Sequence, residues 1–139
     1  MVARTGRPAL LRQVDALILL DTNALLWWHR GHRRAAVLKR LRGVAYMSPA
    51  SMLELQFLLE AGKLRLLARG NLASLLDDER WLLDDPPSAA WFERARAETW
   101  TRDPFDRLIV AHAALRGWKL ATGDAALLAR LGAGATVEL

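Results

Sequence analysis

Ala16-Leu17-Ile18-Leu19-Leu20-Asp21-Thr22-Asn23 runs five apolar residues straight into an acid, a hydroxyl and an amide. Nothing polar alternates within the run, so it has no face to offer to water. It suits a central strand of a parallel sheet, buried on both sides. The polar triplet suits a strand end and a helix start. Ala24–His29 then reads as helical, and Gly31 breaks it.

Downstream the same alternation recurs. A second helix is expected over His32–Arg42, with Ala36, Val37 and Leu41 inward, Arg33, Arg34 and Arg40 outward, and Gly43 ending it. Val44–Met47 reads as a strand. Ser48-Pro49 is an N-cap followed by proline at the first helical position, and that helix runs to Gly62. Leu64–Leu67 is a short apolar piece, Leu72–Glu79 a helix and Trp81–Leu83 a brief strand. Asp84-Asp85-Pro86-Pro87 is a break, after which Ser88 caps a helix over Ala89–Trp100. A helix over Pro104–Arg116 ends at Gly117, a strand follows at Trp118–Ala121, and Thr122-Gly123-Asp124 turns into a helix over Ala125–Leu131. Thr136–Leu139 completes the pattern as an edge strand. Strands alternating with helices give an α/β domain, a mostly parallel central sheet sandwiched by helices. Residues 15–139 form this single domain and residues 1–14 a basic N-terminal arm. There is no repeat, no low-complexity segment and no second domain.

The bulk composition agrees with one domain. A chain of 139 residues that is 53% apolar can bury a real core. No apolar run approaches the length of a membrane span, and Arg4, Arg7 and Arg12 are not followed by the apolar core of a secretory signal. With no cysteine, disulfides and thiolate metal sites are excluded, which fits a reducing cytoplasm. The net charge of +5 is unevenly spread. Residues 1–45 hold nine Arg/Lys against two Asp, and residues 46–139 hold eleven against thirteen acids. A basic half beside acidic clusters suits a protein that attracts a polyanion. The 17 arginines against three lysines also fit plain codon bias.

Several acids stand where ligands bind in open α/β sheets, beyond the carboxyl ends of strands. Asp21 follows the first strand and Asp124 the strand Trp118–Ala121; each could equally be a helix N-cap. Glu54 has Ala50, Ser51, Phe57 and Leu58 as its neighbours on the helix surface, so it points to the apolar side. There it needs a partner, whether a cation or a hydrogen-bonding group. In Arg102-Asp103-Pro104-Phe105-Asp106-Arg107-Leu108-Ile109-Val110-Ala111-His112-Ala113, Asp103 is placed as the cap and Asp106 one turn in, beside Ile109 and Val110. Four acids converging would need protonation or a cation among them. An all-oxygen site suits Mg²⁺ or Mn²⁺ better than zinc.

Leu19 to Trp28, Ser48 to Glu54, Asp103 to Ala113 and Leu120 to Asp124 together resemble the PIN-domain ribonucleases, more narrowly the VapC-type toxins of bacterial toxin–antitoxin pairs. The resemblance spans residues 17 to about 138, with the four blocks in order. It implies a Mg²⁺- or Mn²⁺-dependent endoribonuclease with a parallel sheet between helices. Asp21, Glu54, Asp106 and Asp124 match the acidic quartet that holds the metal. Thr22, Asn23 and Thr122 match polar residues that orient those acids or contact the scissile phosphate. Asp103 is either a cap or an outer-shell group. Arg107 either holds a neighbouring carboxylate or grips a phosphate. The resemblance also implies a homodimer, an RNA substrate and a cognate VapB-type antitoxin, while the lack of a long apolar run gives the expectation of no membrane partner. The arm 1–14 and the stretch Asp84–Ala90 depart from the family pattern.

Other features read as structural. His29, His32 and His112 are assigned to packing or surface, with His29 the one best placed to touch RNA. Of the adjacent Trp27 and Trp28, one goes to the core and the other to a contact surface. Arg30, Arg33 and Arg34 form a run that either tracks phosphates or is a solvated face. Three rivals stand beside the ribonuclease reading: a DNA-directed or structure-specific nuclease, a catalytically silent binding module, and a receiver-like phospho-acceptor. The last wants a lysine after the final core strand, where this chain has Thr122-Gly123-Asp124.

Overall fold

The structure, a computed structural model, describes residues 17–64 and 72–139. The expected arm at 1–14 and most of the Leu64–Leu67 piece lie outside those residues. The described strands are β1 (Leu17–Leu20), β2 (Val44–Met47), β3 (Trp81–Leu83), β4 (Lys119–Thr122) and β5 (Thr136–Glu138). The helices are α1 (Thr22–Arg30), α2 (Pro49–Glu60), α3 (Leu72–Leu76), α4 (Ser88–Arg96), α5 (Pro104–Arg116) and α6 (Ala125–Leu131). A 3₁₀ segment, Arg33–Arg40, follows α1, and a shorter one, Ala133–Ala135, precedes β5.

The five strands form one sheet in the order β3-β2-β1-β4-β5, and every pairing is parallel. β1 is the central strand its sequence predicts. Ile18 and Leu20 pack into one apolar cluster, with Leu25, Trp28, Leu38 and Leu75. Leu19 packs into the other, with Trp91, Ile109, Val110 and Leu120. Successive side chains of a strand point to opposite faces, so a run without polar residues needs helices on both sides. α1, the 3₁₀ segment and α3 supply one layer, and α4 and α5 supply the other.

The strand order reverses at β1. The chain moves outward through β2 and β3, then returns to β4 on the opposite side of β1. The crevice at this switch is where the carboxyl ends of β1 and β4 lie side by side, Leu20 against Ala121. Asp21 is fixed there by its own backbone, whose N–H donates to the Ala121 carbonyl at 3.1 Å.

Three expectations need correction. The second helix is a 3₁₀ turn sequence, and its buried residues are Ala35 and Leu38, while Ala36 and Val37 face solvent. The 3₁₀ pitch of three residues per turn aligns Ala35, Leu38 and Leu41, where a 3.6-residue pitch selects a different set. Ser88 is the first residue of α4 and caps nothing; Pro87 precedes it without a side-chain cap, and α4 ends at Arg96 short of Trp100. α3 ends at Leu76, before Glu79. By contrast, the bounds expected for α5 and α6 match those of the structure. Among the described residues no helix is long and apolar enough to cross a membrane.

Candidate active site

Asp21, Glu54, Asp106 and Asp124 line one cavity of about 150 Å³ at the switch point, together with Thr22, Asn23, Leu58, Ile109 and Leu127. Four elements bring them there, and the local reasons differ. Asp21 is the N-cap of α1, its Oδ1 accepting from Ala24 N at 2.7 Å. Asp124 caps α6 in the same way, its Oδ1 taking the amides of Ala126 (2.8 Å) and Leu127 (3.1 Å). The capping role and the cavity role therefore coincide in both residues: a cap bond engages Oδ1 and aims the carboxylate at a helix N-terminus that favours negative charge.

Asp103 is the cap of α5, accepting from Phe105 N at 2.8 Å and Asp106 N at 3.3 Å. It does not line the cavity. Asp106, freed from capping, does. Glu54 lies mid-helix on α2, half-buried, and receives a hydrogen bond from the Thr22 hydroxyl. That hydroxyl has one proton, so its contact with Ser51 Oγ at 3.0 Å is one in which Ser51 donates. Ser51 is fully buried. Nothing in the local sequence marks it as a site residue, although it sits one turn before Glu54 on the same face.

None of the four cavity acids is in an ion pair with a basic side chain among the described residues. Their titration reflects this. Asp21, 6% exposed, is pushed up to about 6, first by burial and then by Glu54 and Asp124, against the lowering effect of hydrogen bonds from Thr122 and Ala24. Asp106 is pushed up to about 7 by burial and by the charges of Asp103, Glu54, Asp124 and Asp21. Glu54 is raised as well, by burial and by Asp103, with the Thr22 bond opposing. Carboxylates crowded together in this way favour a cation among them. Its donors are all carboxylate and hydroxyl oxygens, the set that hard divalent ions take. As they stand, no three acidic or histidine side chains among the described residues close on a single point as a metal cage.

A model of the PIN domain matches residues 18–133. The chain belongs to the PIN-domain family. PIN domains are generally nucleases, and this one carries Asp21, Asp106 and Asp124 at strand ends and helix starts and Glu54 in the middle of α2. Two solved structures are similar to this PIN domain. A toxin–antitoxin complex from Klebsiella pneumoniae is 19% identical, with 88% of this chain and 99% of that chain covered and a TM-score of 0.63. VapBC2 from Rickettsia felis, bound to a DNA fragment from its promoter, is 19% identical, with 82% and 92% covered and a TM-score of 0.60. At this identity the likeness concerns the fold. No curated protein matches the sequence.

The remaining polar candidates of this PIN domain are divided. Thr22 and Asn23 line the cavity, and Thr122, fully buried, bonds Asp21 and accepts from Asp124 N at 3.0 Å. Arg107 does not line the cavity and pairs with no carboxylate among the described residues; its Nε donates to the Thr101 carbonyl at 2.8 Å. His29, expected to be the histidine nearest RNA, has its Nδ1 at 3.0 Å from Asp78 Oδ2 and its ring edge-on to Trp81. Arg34 is not a free phosphate-tracking arginine: it lies over Trp27 and donates to two backbone carbonyls. The departing stretch Asp84–Ala90 is anchored by Asp84, which takes His112 Nε2 at 2.7 Å and Arg116 Nε at 2.8 Å. His112 is wholly buried and its pKa is lowered by burial, a structural histidine as expected. A larger cavity of about 400 Å³, between Trp28, Leu41, Gly43 and Arg80, contains no carboxylate.

Proposed function

We propose that this PIN domain is a Mg²⁺- or Mn²⁺-dependent endoribonuclease and the toxin of a VapBC-type toxin–antitoxin pair. The observation that carries the reading is the convergence of Asp21, Glu54, Asp106 and Asp124 on one cavity without a basic partner. These four residues would hold the ion. When bound, it lowers the pKa of a water and stabilises charge on the phosphate under attack.

The chain's own residues do the rest. Asp21 and Asp124 each commit Oδ1 to backbone amides, so neither carboxylate is free to rotate away. Thr22 holds Glu54 across from them. Asp106 has no cap to serve and no basic partner among the described residues, so its carboxylate is left to face the cavity. Leu58, Ile109 and Leu127 wall the cavity and limit water around the acids.

A nucleic-acid substrate is favoured by the basic balance of residues 1–45, which supplies the long-range attraction a polyanion needs, and RNA over DNA by the resemblance to the VapC-type toxins. The toxin reading is supported by the likeness in fold to two toxin–antitoxin structures. Beside the cavity, Leu53 and Phe57 on α2 are 52% and 51% exposed, and Phe57 meets Phe105 edge-to-face. Apolar side chains exposed next to an acidic cleft suit contact with a partner chain, the antitoxin or a second copy. A cytoplasmic location follows from this reading.

The test is cleavage of RNA and of single- and double-stranded DNA by purified protein with Mg²⁺ or Mn²⁺, beside Asp21→Asn. RNA cleavage by the wild type alone is expected. Cleavage of DNA only would replace the reading with that of a DNA-directed nuclease. Equal cleavage by both proteins would remove the assignment of the acids.

A further inference from the structure

Trp27, His32 and Arg34 form a stacked unit at the turn after α1. His32 lies on the Trp27 ring, 5.9 Å between centroids and 30° between planes, and its N–H donates to the Trp27 carbonyl at 2.8 Å. His32 Nδ1 caps the 3₁₀ segment by accepting from Arg34 N at 3.1 Å. The guanidinium of Arg34 then lies 4.2 Å from the Trp27 ring centroid. Its Nη2 donates to the carbonyls of Gly123 and Leu139, each at 3.2 Å. Stacking on the indole holds the planar donor group in a fixed plane while it reaches across to the loop after β4.

Gly123 shows how closely that loop is held. Its φ is not positive, so the backbone conformation does not require glycine. A Cβ there would stand 2.6 Å from Arg34 Nη2 and 2.8 Å from both Cη2 and Cζ3 of Trp27. A side chain there would have to push the guanidinium or the indole aside, so the clamp favours glycine. Its chain neighbours are Thr122, which bonds Asp21, and Asp124, which lines the cavity.

We infer that Arg34, seated on Trp27, is a positioning residue for the acidic cavity: by gripping the Gly123 carbonyl it sets Thr122 and Asp124, and through Thr122 it sets Asp21. The inference rests on the metal-dependent nuclease reading for its consequence in activity, and on the geometry alone for its consequence in the loop. Arginine is needed because the fork must stack and donate at once. Lysine keeps the charge and can reach one carbonyl, but it has no plane to stack.

The test uses the full chain as Arg34→Ala, Arg34→Lys, Gly123→Ala and the double variant Arg34→Ala/Gly123→Ala, with Arg40→Ala at the end of the same 3₁₀ segment as control. Amide exchange at Gly123 to Leu127 is followed by NMR, Mn²⁺ affinity by calorimetry, and RNA cleavage over a range of RNA concentrations. Arg34→Ala is expected to lower protection of those amides, to weaken Mn²⁺ binding about tenfold, as loss of outer-shell support does, and to lower kcat about 10- to 100-fold with KM unchanged. Gly123→Ala should do the same, and the double variant should be no worse than either, because both break one contact. Arg34→Lys should recover part of the loss, and Arg40→Ala should keep wild-type Mn²⁺ affinity. Unchanged amide protection in Arg34→Ala, a change in KM alone, or additive losses in the double variant would each overturn the inference. A wild type that neither binds Mn²⁺ nor cleaves RNA would instead defeat the nuclease reading, and the exchange data would still decide the clamp.

Discussion

Asp21→Asn should make the metal-free protein more stable while abolishing its activity. Asp21 is 6% exposed and has no basic partner among the described residues, and its pKa is pushed up to about 6. An ordinary aspartate titrates near ~3.9, so the native state disfavours the charged form by about two pKa units, or about 3 kcal/mol at 1.36 kcal/mol per unit. The sign follows from linkage. Between about pH 4 and 6 the native state binds more protons than the unfolded chain, so stability falls as pH rises through that window and the cost is complete above it. Asparagine removes the charge and keeps an oxygen for Ala24 N, the bond that caps α1. Its amide does not reproduce the carboxylate's bond with the Thr122 hydroxyl, which offsets part of the gain. The net expectation is about 1–2 kcal/mol, roughly 3–8 °C in Tm for a domain of this size. Urea unfolding followed by circular dichroism in EDTA at pH 4.5 to 8 measures it. The variant should equal the wild type at pH 4.5 and exceed it from pH 7 upward. Millimolar Mg²⁺ should then raise the wild type by mass action and leave the variant unmoved. A variant no more stable than the wild type at pH 8, or a gain independent of pH, would refute the reasoning.

Other substitutions probe the rest of the frame. Thr22→Val should cost about 1–3 kcal/mol in urea unfolding, because it strands the Ser51 hydroxyl and Glu54 in a half-buried site, and calorimetry should show weaker Mn²⁺ binding. Leu19→Ala, at a position wholly buried on the central strand, should cost about 2–5 kcal/mol. Burial would raise Asp78, but bonds from Arg80 and His29 outweigh it and hold its pKa well below the usual range. The wild-type advantage over Asp78→Asn should therefore be full above about pH 4 and shrink as acid titrates the native carboxylate; a pH-independent difference in unfolding free energy would contradict this.

The local chemistry of the chain was enough to place most of the frame. A five-residue apolar run ending at Asp21 identified the central strand, because only a strand covered on both faces tolerates it. Proline at the first position with an acid or serine before it located the starts of α2 and α5, since the cap bonds lie within three residues of sequence. The same locality separated Asp103 from Asp106. Segments without such punctuation were read less well. The Arg33–Arg40 stretch followed a tighter pitch than its pattern suggested, and Ser88 resembled a cap but fell inside α4.

Sequence alone thus determined the alternation of strands and helices and the four acids that stand beyond or beside them, because both depend on contacts between near neighbours. The tertiary structure decided what those acids meet. It brought Asp21, Glu54, Asp106 and Asp124 to one cavity with no basic side chain paired to them among the described residues. It also turned Arg34 from a member of a basic run into a grip on Gly123, 89 residues away. Pairings over such separations are set by sheet order and helix packing, and no local preference in the chain encodes them.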